Sequence, residues 1–404
     1  MGSIAMDDFR TEAKAFLDAN AEPRSEQKFV WGEGPDRVGI LDEKTPEEEA
    51  EELRAAKDWK AKEFDAGFGW ITGPAEYGGR ALDGAYQRAY AEAQADYSIP
   101  STAPFSVGLG MVAPTILAHA IPDVKERYLR SLYRGDLVAC QLFSEPVAGS
   151  DLAGIQTRAT RDGDEWVISG QKVWTSGAQQ SDLGEIITRT SVDKPKHKGL
   201  TMFLVDMKAK GVTVRRLRQM TGGASFNEVF FDDVRVHDSH RLGDVDEGWT
   251  VALTTLMNER AAIGGGLGNR ATSLTRFVEL ARYLGLADDP VVRQRLADSY
   301  VNTQVARYTN QRAMAKIRAG QLPGPEMSIA KLSMTQNFQR LADTLAAMLG
   351  PRITADTGEW GTYAWGELVL GVPGMRVAGG TDEVMRNIVG ERVLGLPKEP
   401  RADT

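Results

Sequence analysis

Short alternating segments in the middle of the chain constrain the fold most strongly. Between about Ala139 and Asp244 the chain has short runs, such as the mostly apolar Leu200 to Asp206 and the alternating Val212 to Arg216, and glycine- and aspartate-containing turns separate them. Alternation with a period of two is typical of half-buried β-strands. The turn sequence Arg161-Asp-Gly-Asp164 lies between two such runs and predicts a β-hairpin. The block therefore predicts a small β-sandwich or barrel.

Helical patterns flank the β block on both sides. Before it, charged, alanine-rich segments repeat apolar residues about every 3.6 positions. Thr45-Pro-Glu-Glu48 has the cap, the proline and the acids of a helix start. After it, the sequence predicts long helices at 250–286, 290–319 and 326–349, a polar, glycine-rich connection at 351–373, and a last helix that begins at Thr381.

This order of patterns predicts a multidomain α+β protein with three parts. We expect an N-terminal α-helical domain at 1–138, a central β-domain at 139–245 and a C-terminal α-helical bundle domain at 246–404. A chain of 404 residues is long enough for such a division and for a large core.

Composition excludes several classes of protein. A net charge of -8 argues against a nucleic-acid binder, and the sequence predicts neither a membrane span nor a signal peptide. The single cysteine, Cys140, fits a reducing cytoplasm, and four scattered histidines suggest no metal site. The run Lys194-Pro-Lys-His-Lys198 is either a basic phosphate site or, as we favour, a solvated loop.

Two pieces of the β block carry candidate binding chemistry. Gln141-Leu-Phe-Ser-Glu-Pro-Val-Ala-Gly-Ser-Asp151 ends an apolar run in a glycine-containing loop with small hydroxyl residues, and such a loop allows close approach of a ligand. Trp174-Thr-Ser176 follows the hairpin, and its tryptophan can cover the face of an aromatic ring while hydroxyls bond the ring edge. The structural alternative is a sandwich loop with a core tryptophan.

Both pieces resemble the flavin-binding signature of the acyl-CoA dehydrogenases. Residues 142–151 are similar to the first motif, (Leu/Phe)-(Ser/Thr)-Glu-Pro-x-Ala-Gly-Ser-Asp, and Trp174-Thr-Ser176 is similar to the second. The resemblance extends from Pro74–Gly79 to Glu391–Gly395. It implies an acyl-CoA dehydrogenase fold with a C-terminal four-helix bundle, and FAD-dependent conversion of an acyl-CoA thioester to the trans-2-enoyl-CoA. The implied partners are an electron-transfer flavoprotein and further subunits in a homotetramer.

The resemblance also assigns cofactor contacts. Phe143 and Ser144 should contact the flavin ring, Trp174 and Ser176 should bracket its N5 side, and Gly149 belongs to the same loop. Further contacts are implied for Ser150, at the CoA moiety and the cofactor loop, and for Thr381 and Glu383, at FAD beyond the ring. Gln141 stands where the family motif often begins with an aromatic residue.

The catalytic base is implied by a departure from the usual pattern. Most members read Tyr-Glu-Gly-Thr where this chain has Ala378-Gly-Gly-Thr381, so Gly379 keeps the N–H that holds the thioester carbonyl but lacks the carboxylate. A branch that resembles isovaleryl-CoA and long-chain dehydrogenases carries the base on an earlier helix, and Leu256–Gly266 is similar to that helix. Glu259 is therefore the expected base, Arg260 matches the family's structural or substrate-side arginine, and Gly380 is expected on the substrate side. Glu367 or a partner chain is the alternative source.

Two motifs that reach FAD across subunits differ in this chain. Arg282-Tyr-Leu-Gly285 replaces Arg-x-x-Phe-Gly, and Leu349-Gly-Pro-Arg352 replaces Gln-x-x-Gly-Gly. Alternative functions therefore stay open: a catalytically incomplete subunit of a hetero-oligomeric dehydrogenase, or an acyl-CoA oxidase that uses oxygen directly.

Overall fold

A computed structural model describes residues 4–25, 32–33, 38–40, 44–266, 273–318, 324–355, 357–360 and 364–398. Side chains are described within these ranges except at 260–266, 314, 316–318 and 364. As far as they are described, the residues form two compact units. One comprises residues 1–28, 44–217 and 224–255, and the other comprises residues 29–43, 218–223 and 256–404.

In the part that the structure describes, the first unit begins with five α-helices and a short strand pair. The helices are α1 (Met6–Asn20), α2 (Pro46–Asp65), α3 (Gly84–Gln94), α4 (Ala113–His119) and α5 (Pro122–Arg134). β1 (Glu22–Pro23) pairs with β2 (Tyr97–Ser98), and a π-helical segment, Gly108–Val112, precedes α4. The predicted start of α2 is confirmed: Glu48 N donates to Thr45 Oγ1 (3.2 Å), and Thr45 N donates to Glu48 Oε2 (2.7 Å), which closes a capping box.

A β-sheet completes this unit. Its strands are β3 (Ala139–Leu142), β4 (Arg158–Asp162), β5 (Glu165–Ser176), β6 (Leu183–Arg189), β7 (Leu200–Asp206), β8 (Val212–Leu217), β9 (Phe226–His237) and β10 (Arg241–Leu242). They follow the order β10-β7-β6-β4-β5-β9-β8, with β3 parallel to β6. The hairpin of β4 and β5 turns at residues 163–164, inside the predicted Arg161–Asp164 turn.

The sheet folds over an apolar core. Trp166 of β5 contacts Phe203 of β7 at a ring-centroid distance of 5.3 Å, although these strands are not neighbours in the sheet. Buried residues from β3, β6 and β9 complete the core: Cys140, Leu142, Ile186, Val229, Phe231 and Val234. The alternating burial of β5 and β9 fits strands with one face turned to this core, whereas β6 and β7 are buried along nearly their whole length.

Among its described residues, the second unit contains the end of α6 (Gly248–Gly266) and five further α-helices. These are α7 (Leu274–Tyr283), α8 (Pro290–Arg318), α9 (Met327–Leu349), α10 (Ala364–Met375) and α11 (Asp382–Ile388), followed by a π-helical segment, Val389–Val393. In this unit α9 contacts α8, α10 and α11. Its core includes Phe277, Leu345, Trp365 and Leu368.

Two sequence predictions for this unit need correction. The expected connection at 351–373 contains α10, because Trp365, Leu368 and Val372 are buried along one side of the segment and their burial outweighs its glycines and Pro373. The single helix expected at 250–286 contains two described helices, α6 and α7, and residues 267–272 between them lie outside the described part.

The predicted fold class is confirmed: helices, then a β-domain, then helices. Among the helices that the structure describes, none is long and apolar enough to cross a membrane. The same residues contain no group of three or more His, Cys, Asp or Glu side chains that could hold a metal ion.

Candidate active site

The loop that follows β3 makes a tight reverse turn. Glu145 and Ala148 exchange two backbone hydrogen bonds, of 2.9 and 3.0 Å, and Val147 at the tip is 74% exposed. Phe143, at the start of the loop, is buried and Ser144 is half-buried. Gly149 and Ser150, at its end, are exposed. The loop therefore presents its hydroxyl and glycine residues at the surface of a rigid turn.

A buried ion pair fixes this loop to β5. Lys172 Nζ donates to Glu145 Oε1 (2.8 Å) and to the carbonyl oxygen of Phe143 (3.0 Å). The other bonds to the Glu145 carboxylate come from the backbone N–H groups of Gln156 (2.6 Å) and Thr157 (3.0 Å). Lys172 is fully buried and Glu145 is 6% exposed. Both oxygens of the carboxylate therefore accept hydrogen bonds, as a buried charge requires.

The charges of this pair stabilise each other. Burial alone would raise the pKa of Glu145, but the Lys172 ammonium and the N–H donors outweigh it and hold the pKa below its ordinary value. Burial lowers the pKa of Lys172, and Glu145 opposes that change. Because each group favours the charged form of the other, a buried ion pair joins the loop to the strand.

Trp174 projects outward from β5 at a β-bulge. The pairing of β5 with β9 shifts between Lys172 and Thr175, and Trp174 has a φ of 60°. Positive φ is uncommon for an aromatic residue and marks local strain. The bulge reverses the alternation, so that the indole is 60% exposed instead of joining the core. An edge contact with Phe226 (6.0 Å between centroids) supports the ring.

Polar residues lie beside Trp174 at the end of β5. Ser176, the last residue of β5, is exposed. Buried Asn227 of β9 donates from Nδ2 to the carbonyl oxygen of Thr175 (3.0 Å) and so holds the strand end in place. Thr175 Oγ1 is buried and has no hydrogen-bond partner in the described part of the chain. An exposed indole face flanked by serine hydroxyls fits the face and edge of a planar, hydrogen-bonding ring such as a flavin.

The second unit holds the other predicted site residues. Gly379 and Gly380 have φ values of 66° and 92°, a left-handed backbone that favours glycine. A Cβ on Gly380 would lie 2.6 Å from Met385 Cε. Within the described residues, no hydrogen bond uses the N–H of Gly379. Thr381 caps α11, as predicted, by accepting from Val384 N (3.1 Å).

The candidate acids of this unit lie on three helices. Glu259 lies on α6 and is half-buried, and Glu367 on α10 is also half-buried. Arg260 follows Glu259 in α6, but its side chain lies outside the described residues. Glu383 in the first turn of α11 is exposed and pairs with Arg386 (3.2 Å).

The structure thus places the predicted site residues in two groups. The first unit contains Phe143, Ser144, Gly149, Ser150, Trp174 and Ser176, and the second contains Glu259, Gly379, Gly380, Thr381 and Glu383. The stretch from Phe143 to Ser150 and the end of β5 are joined directly, since Val173 N donates to the carbonyl oxygen of Ser144 (2.8 Å).

The basic loop at 194–198 has the character of a solvated loop. Lys194 pairs with Asp246 (2.8 Å), Lys196 with Asp151 (2.8 Å) and Lys198 with Glu247 (3.4 Å). The three ammonium groups are all substantially exposed. Because each positive charge has a carboxylate beside it, the loop lacks the excess positive charge of a phosphate site.

Sequence reasoning missed two residues that support the site, Lys172 and Asn227. The sequence did carry a signal for Lys172. It is separated from the inward-facing residues Trp166 and Ile168 by an even number of positions, so its side chain faces the core. A lysine that faces the core needs a buried partner. No comparable signal identifies Asn227, because its role depends on how β9 pairs with the bulge.

Comparisons with known proteins identify the family to which this fold belongs. Three family models match consecutive parts of the chain: the acyl-CoA dehydrogenase N-terminal domain at 39–136, the middle domain at 140–234 and the C-terminal domain at 246–394. The chain therefore belongs to the acyl-CoA dehydrogenase family of flavin-dependent oxidoreductases, as the sequence motifs predicted.

Its similar proteins include mycobacterial dehydrogenases. Acyl-CoA dehydrogenase IpdE1 of Mycobacterium tuberculosis is 36% identical over 366 residues, which cover 88% of this chain and 92% of IpdE1. Acyl-CoA dehydrogenase FadE34 of the same organism is 40% identical over 292 residues, which cover 71% of this chain and 39% of FadE34.

Solved structures of the family have the same fold. The Tcur3481-Tcur3483 steroid ACAD has a TM-score of 0.73 at 26% identity. The ChsE4-ChsE5 complex from Mycobacterium tuberculosis has a TM-score of 0.71 at 26% identity. Each match covers 99% of this chain and 99% of the other chain.

Proposed function

We propose that this protein is an FAD-dependent acyl-CoA dehydrogenase that converts an acyl-CoA thioester to the trans-2-enoyl-CoA and passes electrons to an electron-transfer flavoprotein. The observation that carries the proposal is the strained, 60% exposed Trp174, which the bulge turns outward beside the loop of Phe143–Ser150. A positive φ at a bulky residue stores local strain, and such strained positions cluster at ligand-binding and active sites.

The cofactor contacts follow from the first group of site residues. Phe143, Ser144 and Gly149 form the loop, and Trp174 and Ser176 form the strand end that would hold the flavin ring. Thr381 and Glu383 are the proposed contacts to FAD beyond the ring. When bound, FAD supplies the acceptor for the hydrogen that leaves Cβ. The chain itself provides orientation, because the Glu145–Lys172 pair holds the loop and the bulge holds Trp174.

The substrate contacts follow from the second group. We assign Glu259 as the base that takes the proton from Cα, and the N–H of Gly379 as a donor to the thioester carbonyl, where negative charge develops. Gly379 suits this role because its N–H makes no hydrogen bond within the described residues. Ser150, Arg260 and Gly380 are the other proposed substrate contacts, and Glu367 is the alternative base.

The assembly has two candidate forms. The sequence favours a homotetramer, whereas two similar solved structures are complexes of two named chains, Tcur3481-Tcur3483 and ChsE4-ChsE5. A hetero-oligomer, in which this chain is one of two subunits, is supported by that similarity. It is also supported by the differences from the family motifs at Arg282–Gly285 and Leu349–Arg352. Because the first of these structures is a steroid ACAD, a bulky, ring-bearing acyl group is the substrate class to test first. We further propose domains at 1–138, 139–245 and 246–404, and a cytoplasmic location.

Anaerobic titration tests the proposed function directly. The purified protein should be yellow, contain FAD near one per chain, and bleach on addition of one member of a panel of straight, branched and ring-bearing acyl-CoAs. Re-oxidation by an electron-transfer flavoprotein, faster than by oxygen, would support a dehydrogenase. Rapid peroxide formation would indicate an oxidase instead, and colourless protein that gains FAD only with a second chain would indicate an incomplete subunit.

A further inference from the structure

The loop between α10 and α11 contains two successive glycines in left-handed conformation. Gly379 and Gly380, with φ values of 66° and 92°, lie between Arg376 and Asp382. Glycine has the greatest backbone freedom of any residue, so two in series make a soft segment. If the N–H of Gly379 is to hold a carbonyl at a fixed position, other residues must restrain the loop.

Hydrogen bonds to backbone carbonyls close the loop at its two ends. Asp382 N donates to the carbonyl oxygen of Arg376 (3.0 Å), and Lys331 Nζ of α9 donates to the same oxygen (3.3 Å). Arg376 N and Ala378 N donate to the last carbonyls of α10, at Pro373 (3.2 Å) and Gly374 (3.0 Å). The glycines are therefore the part of the loop whose position depends on how firmly Arg376 and Asp382 are joined.

The Asp382 side chain joins them a second time. Its Oδ2 accepts from Arg376 Nε (2.9 Å), and its Oδ1 accepts from Thr335 Oγ1 (2.7 Å) and Lys331 Nζ (3.3 Å). Asp382 and Thr335 are fully buried and Lys331 is 6% exposed. Lys331 and Thr335 are one turn apart, so they share one face of α9. One buried carboxylate thus links both ends of the loop to a long helix.

Burial alone would raise the pKa of Asp382, but its hydrogen bonds from Thr335, Arg376 and Lys331 keep the pKa below its ordinary value. The carboxylate is therefore ionised at neutral pH and bonds its three donors as charge-assisted pairs, which are stronger than neutral ones.

We infer that Asp382 and Arg376 are positioning residues that hold the Gly379 N–H in place for the substrate carbonyl. This inference rests on the proposed function. It goes beyond helix stability, because the Arg376 contact reaches across the loop, whereas Lys331 and Thr335 alone would be enough to neutralise and bond the buried carboxylate.

Arg376→Met is the decisive variant, because it cuts the link across the loop and leaves Asp382 paired with Lys331. Asp382→Ala would instead strand the buried Lys331 charge and risk unfolding. The matched control is Arg340→Met on α9: Arg340 is 40% exposed, close to the 41% of Arg376, and pairs with Asp298 at 3.6 Å.

Two measurements separate this inference from the proposed function. Hydrogen exchange followed by mass spectrometry reports the Asp382 amide in peptides that span 376–385. Stopped-flow mixing reports flavin reduction by saturating acyl-CoA. Arg376→Met should exchange faster in this segment, keep its FAD and its acyl-CoA affinity, and reduce the flavin roughly 10- to 100-fold more slowly. Arg340→Met should match wild type in both.

Unchanged exchange, or a wild-type reduction rate despite faster exchange, would overturn the inference. A loss of rate that comes with an equal loss of FAD would do the same, since it would show a stability role only. Wild-type protein that no acyl-CoA reduces would refute the proposed function instead. A loss of exchange protection confined to Arg376→Met would then still support the restraint on the loop.

Discussion

Lys172→Met tests the buried pair that holds the cofactor loop. The substitution removes a fully buried ammonium and leaves the Glu145 carboxylate, 6% exposed, with two backbone donors. Removing one partner of a buried ion pair destabilises a protein by about 3–5 kcal/mol. Because the two N–H donors remain, we expect the lower end, about 3 kcal/mol. The Phe143 carbonyl also loses its Nζ donor, so the variant should retain less FAD.

Urea unfolding at pH 7 measures this effect, and the chain supplies a control. Lys196→Met breaks a pair of the same 2.8 Å length whose partners are 49% and 61% exposed, so it should lower the free energy of unfolding by no more than about 1 kcal/mol. The double variant Lys172→Met with Glu145→Gln should recover part of the loss, because no unpaired charge stays buried.

The pH dependence of the free energy of unfolding provides a second test of the same ion pair. The pKa of Glu145 is lower in the folded protein than its ordinary value of 4.5, so its contribution to stability is present above that value and is lost as pH falls. The difference between wild type and Lys172→Met should therefore shrink as pH falls below about 4.5. A difference that is the same at pH 7 and pH 4, or no larger than that of Lys196→Met, would refute the reasoning.

Two other substitutions probe the first unit. Ser144→Ala with Ser176→Ala should weaken FAD retention, because two ring-edge hydrogen bonds are lost at about 1 kcal/mol each; an unchanged FAD content and flavin spectrum would contradict these contacts. Burial raises the pKa of Glu185 to about 8, so its favourable contribution to folding is present below its ordinary 4.5 and is lost as pH rises towards 8. Glu185→Gln does not titrate and should gain stability relative to wild type between pH 5 and 8, by at most about 1.4 kcal/mol per pH unit. Urea unfolding across that range measures the gain, and a constant difference would count against the buried carboxyl.

The sequence predicted the β-domain closely because its patterns are local. The β7 strand has the predicted bounds, and the hairpin turn lies where Asp-Gly placed it. The connection expected at 351–373 failed for the opposite reason. Glycines and Pro373 dominate its local propensity, while the burial of Trp365 and Leu368 against other helices decides its structure.

In the candidate site, too, local sequence motifs were predictive and features that depend on distant residues were not. The motifs located the loop of Phe143–Ser150 and Trp174, but not the Glu145–Lys172 pair or the positive φ of Trp174. The positive φ of Trp174 depends on a shift of strand pairing between β5 and β9, which residue types alone do not reveal. The ion pair was signalled only by a lysine at an inward position of β5, and its partner comes from a different element. The Asp382 network was hidden for a related reason, since its donors come from α9, some 50 residues earlier.

The rate of flavin reduction in Glu259→Gln tests the central claim most directly. Glutamine keeps the shape of the side chain but cannot accept the proton from Cα. Mixed anaerobically with a saturating acyl-CoA that bleaches the wild type, the variant should bind the thioester nearly as well. It should reduce its flavin more slowly by a factor of roughly 100 to 10,000. Reduction at the wild-type rate would remove Glu259 from the mechanism and leave Glu367 or a partner chain as the source of the base.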